Sequence, residues 1–164
     1  MPKYHLDRLD CKIIDILSRN ARTSLLEIGR ECGVSGAAIH QRVQKLVETG
    51  IIDHFDTMIS PRSLDLNLRS FIGIMLENPA DAPQVIERMR EIPEIVECHT
   101  VTGPYDLLIK VFARDADHLF EILHGSIEPV GSFRTDTFLS FVENVRRQVP
   151  VNPTKKRRPL PENR

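Results

Sequence analysis

The apolar positions of the chain keep helical spacing through the first fifty residues and then change to alternation. Asp7 is a natural N-cap with Asp10 three residues on, and Leu9, Ile13, Ile16 and Leu17 form one stripe of a first helix ending near Arg19. Ile14 points off that stripe, toward a position where a partner chain could meet it. The polar link NARTS leads to Ser24, which with Glu27 has the Ser-x-x-Glu spacing of a capping box, and Leu25, Ile28, Gly29 and Cys32 share a face of a second, short helix. Gly33 and Val34 then leave a turn of about three residues with Ser35, the connection length of a helix-turn-helix, and Gly29 removes bulk where two helices would cross.

The third helix, Ser35 to Gly50, is the stretch on which the reading turns. Ser35 is its N-cap and Gly50 its stop. At about 100° per residue, Ile39, Val43, Leu46 and Val47 fall on one side, and Ala37, Gln41, Gln44, Lys45 and Glu48 fall opposite. The outward face suits a DNA major groove: Gln41 and Gln44 offer amide pairs to base edges, Ala37 and Ala38 permit close approach or meet thymine methyls, and Lys45 reaches a phosphate. His40 lies on the flank, where it touches DNA or packs. An ordinary amphipathic helix is the alternative for this stretch taken alone; the capped helix before it favours recognition.

From Ile51 the pattern changes. Phe55, Thr57 and Ile59 alternate with Asp56 and Met58, which predicts a strand over residues 51–60 and hence a winged helix-turn-helix for residues 1–60. Residues 61–68 read as a hinge. Beyond it, β-rich runs at Arg69–Glu77, Val96–Thr102, Leu107–Phe112 and Ser132–Val142 are interleaved with helical spacing at Asp81–Ile92 (Val85, Ile86, Met89, Ile92) and Ala116–His124 (Leu119, Phe120 and Leu123 inward, Gly125 at the end). The order is βαββαβ over residues 69–145, the ferredoxin-like split βαβ motif, and the fold class is therefore α+β. Such a sheet has helices on one face and needs a cover on the other, commonly a second copy.

Composition adds charge asymmetry. The 164 residues carry a net charge of −1, but residues 1–60 hold 8 basic and 8 acidic side chains, residues 61–145 hold 7 and 14, and residues 146–164 hold 7 and 1. A neutral head implies modest DNA affinity per protomer and reliance on dimers, because phosphate neutralisation supplies much of such affinity. The proline-punctuated tail, 146–164, lacks apolar periodicity and is expected to be disordered; its cluster Lys155–Arg158 is either a solvated end or a nonspecific DNA-contacting arm. Cys11, Cys32 and Cys98 form neither a CxxC pair nor a disulfide framework. His40, His54, His99, His118 and His124 lack metal-ligand spacing, so no metal site is expected and His99 reads as structural. With no charged-then-apolar leader and no apolar run near the ~18 residues of a membrane helix, the expected location is the cytoplasm.

LDRLDCKIIDIL at the start, SLLEIGRECGVS in the second helix, RVQKLVETGII with Arg42, Val43, Leu46, Gly50 and Ile52, ISP at Ile59 to Pro61, and ECHTVTGPYDLLIKV with Glu97, Cys98, His99, Gly103, Tyr105 and Asp106 resemble the Lrp/AsnC family of leucine- and asparagine-responsive "feast/famine" transcription regulators. The resemblance runs from residue 6 to about 149. It implies a DNA-binding head joined to a βαββαβ (RAM/ACT-like) domain that binds an effector and pairs two chains. It further implies stacking of dimers into tetramers or octamers, palindromic operators in double-stranded DNA, and an amino-acid-type ligand that shifts assembly and affinity. For Arg42 it favours a phosphate contact or a structural ion pair over base reading. Gly36, Ala37 and Ala38 depart from the family, where larger or prolyl residues are frequent, so the operator cannot be borrowed from a relative.

The turn TGPYD is the candidate effector site. Gly103 gives a backbone free to approach a ligand, Asp106 a partner for an α-ammonium, and Tyr105 an apolar wall, with Thr135 or Thr137 on the last strand as polar neighbours. A plain hairpin turn, with Asp106 bonded to local backbone, is the alternative. No cofactor is expected. Two rival functions share the architecture. One is a tetrapyrrole-binding enzyme resembling siroheme decarboxylases, against which stand the intact Gln- and Lys-bearing face and the lack of a nucleophile–base pair. The other is a ligand-responsive assembly protein that no longer binds DNA.

Overall fold

The computed structural model describes residues 4–131 and 133–152. The described residues divide into two compact units: Met58–Val145, and those up to Thr57 together with those from Arg146 onward.

In the first unit, helix α1 (Arg8–Arg19) opens on a reciprocal cap. Asp7 accepts from the Asp10 N–H at 2.8 Å while the Asp10 carboxylate accepts from the Asp7 N–H at 3.0 Å, satisfying two donors that a first turn leaves over. Helix α2 (Leu25–Cys32) starts on Ser24 and helix α3 (Gly36–Glu48) on Ser35, each serine accepting from an N–H three residues on. Ile13, Ile16 and Leu17 of α1, Ile28 of α2, and Ile39 and Leu46 of α3 form the core. The α2–α3 crossing depends on Gly29: a Cβ there would stand 2.7 Å from the Val34 carbonyl oxygen and 3.1 Å from the Gly36 nitrogen.

Two expectations for this unit need correction, the place of Val47 and the strand over residues 51–60. Val47 is 43% exposed, leaving Ile39 and Leu46 as the buried seam of α3. Ile14 lies off the buried stripe, as expected, and is half-buried beside the head core. The strand over residues 51–60 does not form: the Ile51 and Ile52 N–H groups both bond to the Leu46 carbonyl and close α3, and residues 53–60 lie in neither helix nor strand. A strand needs a ladder partner, and this segment pairs with none among the described residues of the chain.

In the second unit, strands β1 (Leu68–Leu76), β2 (Ile95–Thr100), β3 (Leu107–Ala113) and β4 (Phe133–Ser140) make one antiparallel sheet in the order β2-β3-β1-β4, with helices α4 (Ala82–Met89) and α5 (Ala116–Glu121) in the two crossovers. This is the expected βαββαβ motif. Period-two alternation sorts its side chains. Ile72, Ile74 and Leu76 of β1 and Leu107, Ile109, Val111 and Ala113 of β3 are buried in one cluster with Val85, Met89, Leu119 and Ile122. Register puts Phe71, Gly73 and Met75 on the other face beside Leu108, Lys110, Phe112 and Phe138.

Helix α5 runs on through a π turn, Ile122–Ile127, and a 3₁₀ turn, Glu128–Val130, instead of stopping at Gly125. Leu119 and Ile122 are buried, and Phe120, expected inward, is 62% exposed because it stands about 100° off their stripe.

Candidate nucleic-acid interface and ligand turn

Because Ile39 and Leu46 anchor α3 to the core, its opposite side is presented outward. Ala37, His40, Gln41, Gln44 and Lys45 are exposed, Ala38 is half-buried at the first turn, and Ser35 is exposed but has its hydroxyl oxygen engaged by the Ala38 N–H at 3.2 Å. Gln41 and Gln44 hold no hydrogen bond within the described chain, so both amide groups keep a donor and an acceptor free.

Arg42 points the other way. Its guanidinium pairs with Asp7 and, at 2.9 Å, with Asp10. Of the roles left open for it, the ion pair is the one the structure displays, and it pins α3 to the start of α1. Asp10 is 1% exposed and accepts three bonds: from Arg42, from the Asp7 N–H, and from the Tyr4 hydroxyl at 3.1 Å. A buried carboxylate is tolerable only with such partners. At Asp7, burial pushes the carboxyl pKa up, but the Arg42 bond and the Asp10 N–H outweigh it and hold it below the usual value. Sequence spacing points to a capping role alone for Asp7 and Asp10; no local pattern ties them to Arg42, 35 and 32 residues away.

The turn after β2 carries a second arrangement. Gly103 has φ +116°, and the Val101 N–H closes the loop on the Asp106 carbonyl at 3.1 Å. One oxygen of the Asp106 carboxylate accepts from the Leu76 N–H at 2.8 Å, and the Asp106 N–H donates to the Ile74 carbonyl at 2.8 Å. Asp106 thus joins the turn to the end of β1. Tyr105 lies on Gly73: a Cβ at that glycine would be 2.6–2.7 Å from the ring. Its hydroxyl donates to Asp136 at 3.1 Å, and its ring meets Phe138 edge-on at 6.3 Å.

Thr135 and Thr137 do not join this group. They pair in register with Ile74 and Ile72 and share the helix-covered side of the sheet, whereas Tyr105 packs on Gly73 and Phe138 on the open side. The polar neighbour on β4 is Asp136, the residue between them. The alternation of β4 carries that signal once Tyr105 is assigned a face. Among the described residues no group of three or more His, Cys, Asp or Glu is placed to hold a metal ion, and no helix is long and apolar enough to cross a membrane.

A capped helix-turn-helix with a free amide-bearing face, followed by a βαββαβ domain, defines a DNA-binding regulator with a ligand-binding module. Comparison with known proteins agrees: residues 6–47 match the AsnC-type helix-turn-helix domain and residues 69–149 the Lrp/AsnC ligand binding domain. The chain is 33% identical over 144 residues to the regulatory protein AsnC of Escherichia coli K12, covering 88% of this chain and 95% of that one. The solved E. coli AsnC structure superposes with a TM-score of 0.84 over 90% of this chain and 100% of its own. A transcriptional regulator of Methanocaldococcus jannaschii, Ptr1, is 37% identical over 125 residues, 76% of this chain and 84% of its own. The fold also matches, at 24% identity and a TM-score of 0.82, a feast or famine regulatory protein from M. tuberculosis solved with L-methionine, over 89% of this chain and 99% of that one. The chain belongs to the Lrp/AsnC family of transcriptional regulators. Its relatives are regulators, not enzymes, and the decarboxylase alternative falls away.

Proposed function

We propose that this regulator reads a palindromic operator through α3, with Gln41 and Gln44 on base edges, Ala37 and Ala38 allowing close approach, and Ser35, His40 and Lys45 at the sugar–phosphate flank. The observation that carries the reading is that Gln41 and Gln44 are exposed together with no hydrogen bond to any other of the described residues. Arg42 acts indirectly, fixing α3 against α1. The DNA-binding part is residues 1–60, residues 61–68 are a hinge, and residues 69–145 take the ligand.

The ligand is an amino-acid-type effector held at the turn of Gly103, Tyr105 and Asp106, with Asp136 as its polar neighbour in place of Thr135 and Thr137. The M. tuberculosis relative solved with L-methionine supports this ligand class. Two copies pair through the open sheet face, where Phe71, Leu108 and Phe112 are only half-covered and Phe138 is exposed, and dimers stack further into tetramers or octamers in the cytoplasm. The ligand acts by binding one assembly better than another.

Gln44→Ala tests the DNA reading: the ratio of specific to random-duplex affinity falls by about 1–3 kcal/mol per site while random-duplex binding stays. An unchanged ratio removes Gln44 from base reading. Phe138→Glu tests the dimer face by sedimentation, which should give a monomer.

A further inference from the structure

Tyr4 precedes α1 and belongs to no helix, yet it is fixed on three sides. Its ring packs on the head core, its hydroxyl donates to the buried Asp10, and the face of the ring lies 5.1 Å from the Lys45 ammonium of α3. Lys45 is exposed on the same side of α3 as Gln41 and Gln44. A free lysine has much rotamer freedom to lose on meeting a phosphate, and an aromatic face attracts a cation without neutralising it. A ring anchored through Asp10 to the same carboxylate that holds Arg42 therefore keeps the ammonium beside the recognition face before DNA arrives, and pre-ordering of this kind lowers the cost of binding.

We propose that Tyr4 is a positioning residue for DNA binding, holding Lys45 at the phosphate-facing edge of α3 through its ring and taking its own orientation from Asp10. The inference rests on the reading of α3 as the groove-facing helix.

The test is binding of a short random-sequence duplex across a salt series, since a phosphate contact is sequence-independent and appears in the slope of log K against log salt. Wild type, Tyr4→Leu, Tyr4→Phe, Lys45→Ala and Tyr4→Leu with Lys45→Ala are compared, with helicity checked for each. Lys45→Ala should weaken binding and lower the salt slope by about one per protomer. Tyr4→Leu should weaken it about two- to fivefold, the double variant should be no weaker than Lys45→Ala alone, and Tyr4→Phe, which keeps the ring but loses its hydroxyl bond to Asp10, should lie between Tyr4→Leu and wild type. Independent losses that multiply in the double variant overturn the proposal while leaving Lys45 a phosphate contact. A Lys45→Ala variant with unchanged affinity and slope removes that contact and the proposal with it. Proton NMR of the unliganded wild type decides independently of the variants' folding: the Lys45 Cε protons should be shifted upfield by the ring, and unshifted resonances overturn the proposal.

Discussion

Replacing Asp10 with Ala removes a buried carboxylate on which three polar contacts of the head converge. At 1% exposure it accepts from Arg42, the Asp7 N–H and the Tyr4 hydroxyl. A hydrogen bond to a charged group contributes about 1.5–3 kcal/mol and loss of one half of the cap about 1 kcal/mol. Two effects offset part of this. The carboxylate's own desolvation cost disappears, and Arg42, 35% exposed, keeps water and Asp7 as partners. The net expectation is about 2–3 kcal/mol, or on the order of ten degrees in the head's melting temperature, read by circular dichroism in thermal and urea unfolding. Asp7→Ala, at a half-exposed position, should cost about 1 kcal/mol, mostly as lost cap. An Asp10→Ala variant within about 0.5 kcal/mol of wild type, in the range of a neutral surface change, or an Asp7→Ala variant costing more than Asp10→Ala, would refute the network reading.

Gly29→Ala should destabilise the head by about 1–3 kcal/mol, since its Cβ would meet backbone at 2.7 Å and backbone yields poorly; urea midpoints check it. Gly73→Ala should drive the Tyr105 ring from its seat and break its bond to Asp136, abolishing response to amino acids in a mobility shift while leaving DNA binding itself intact. His54, bridging Asp53 and Asp56 at 2.7 Å each, has its pKa raised by those two bonds. NMR titration should place its midpoint above 6.5, and Asp53→Asn with Asp56→Asn should return it toward that value. Because the shift is upward, any stability it contributes is fully present below pH 6.5 and is lost as pH rises through the folded-state value.

The elements legible in the sequence were those closed by local chemistry. Asp7, Ser24 and Ser35 announce their helices because the cap and its acceptor lie three residues apart, and the outward face of α3 follows from period alone. What failed depends on distant or geometric information. Residues 51–60 alternate like a strand, but alternation does not supply a ladder partner. Phe120 was misplaced because it adjoins Leu119 in sequence but stands about 100° round the helix from it, and Arg42 was ambiguous because Asp7 and Asp10 stand a helix-turn-helix away in sequence. Thr135 and Thr137 were singled out for polarity alone; strand register sets them on the sheet face opposite Tyr105, whose bond on β4 goes to Asp136. The basic cluster Lys155–Arg158 lies outside the described residues; the stretch leading to it, Arg147–Val151, lines a cleft of about 530 Å³ with Asp15, Ser18 and Arg19 of α1.

That α3 presents a DNA-reading face is tested most directly by a mobility shift on the DNA upstream of the chain's own gene. Wild type is compared with Gln41→Ala plus Lys45→Ala, each with and without a pool of the common amino acids. A specific shift that the double variant loses while its helices remain folded, and that one member of the pool alters, is the expected result. A wild-type protein that is folded yet gives no specific shift in any condition, or a double variant that shifts the same DNA as well as wild type, would contradict it.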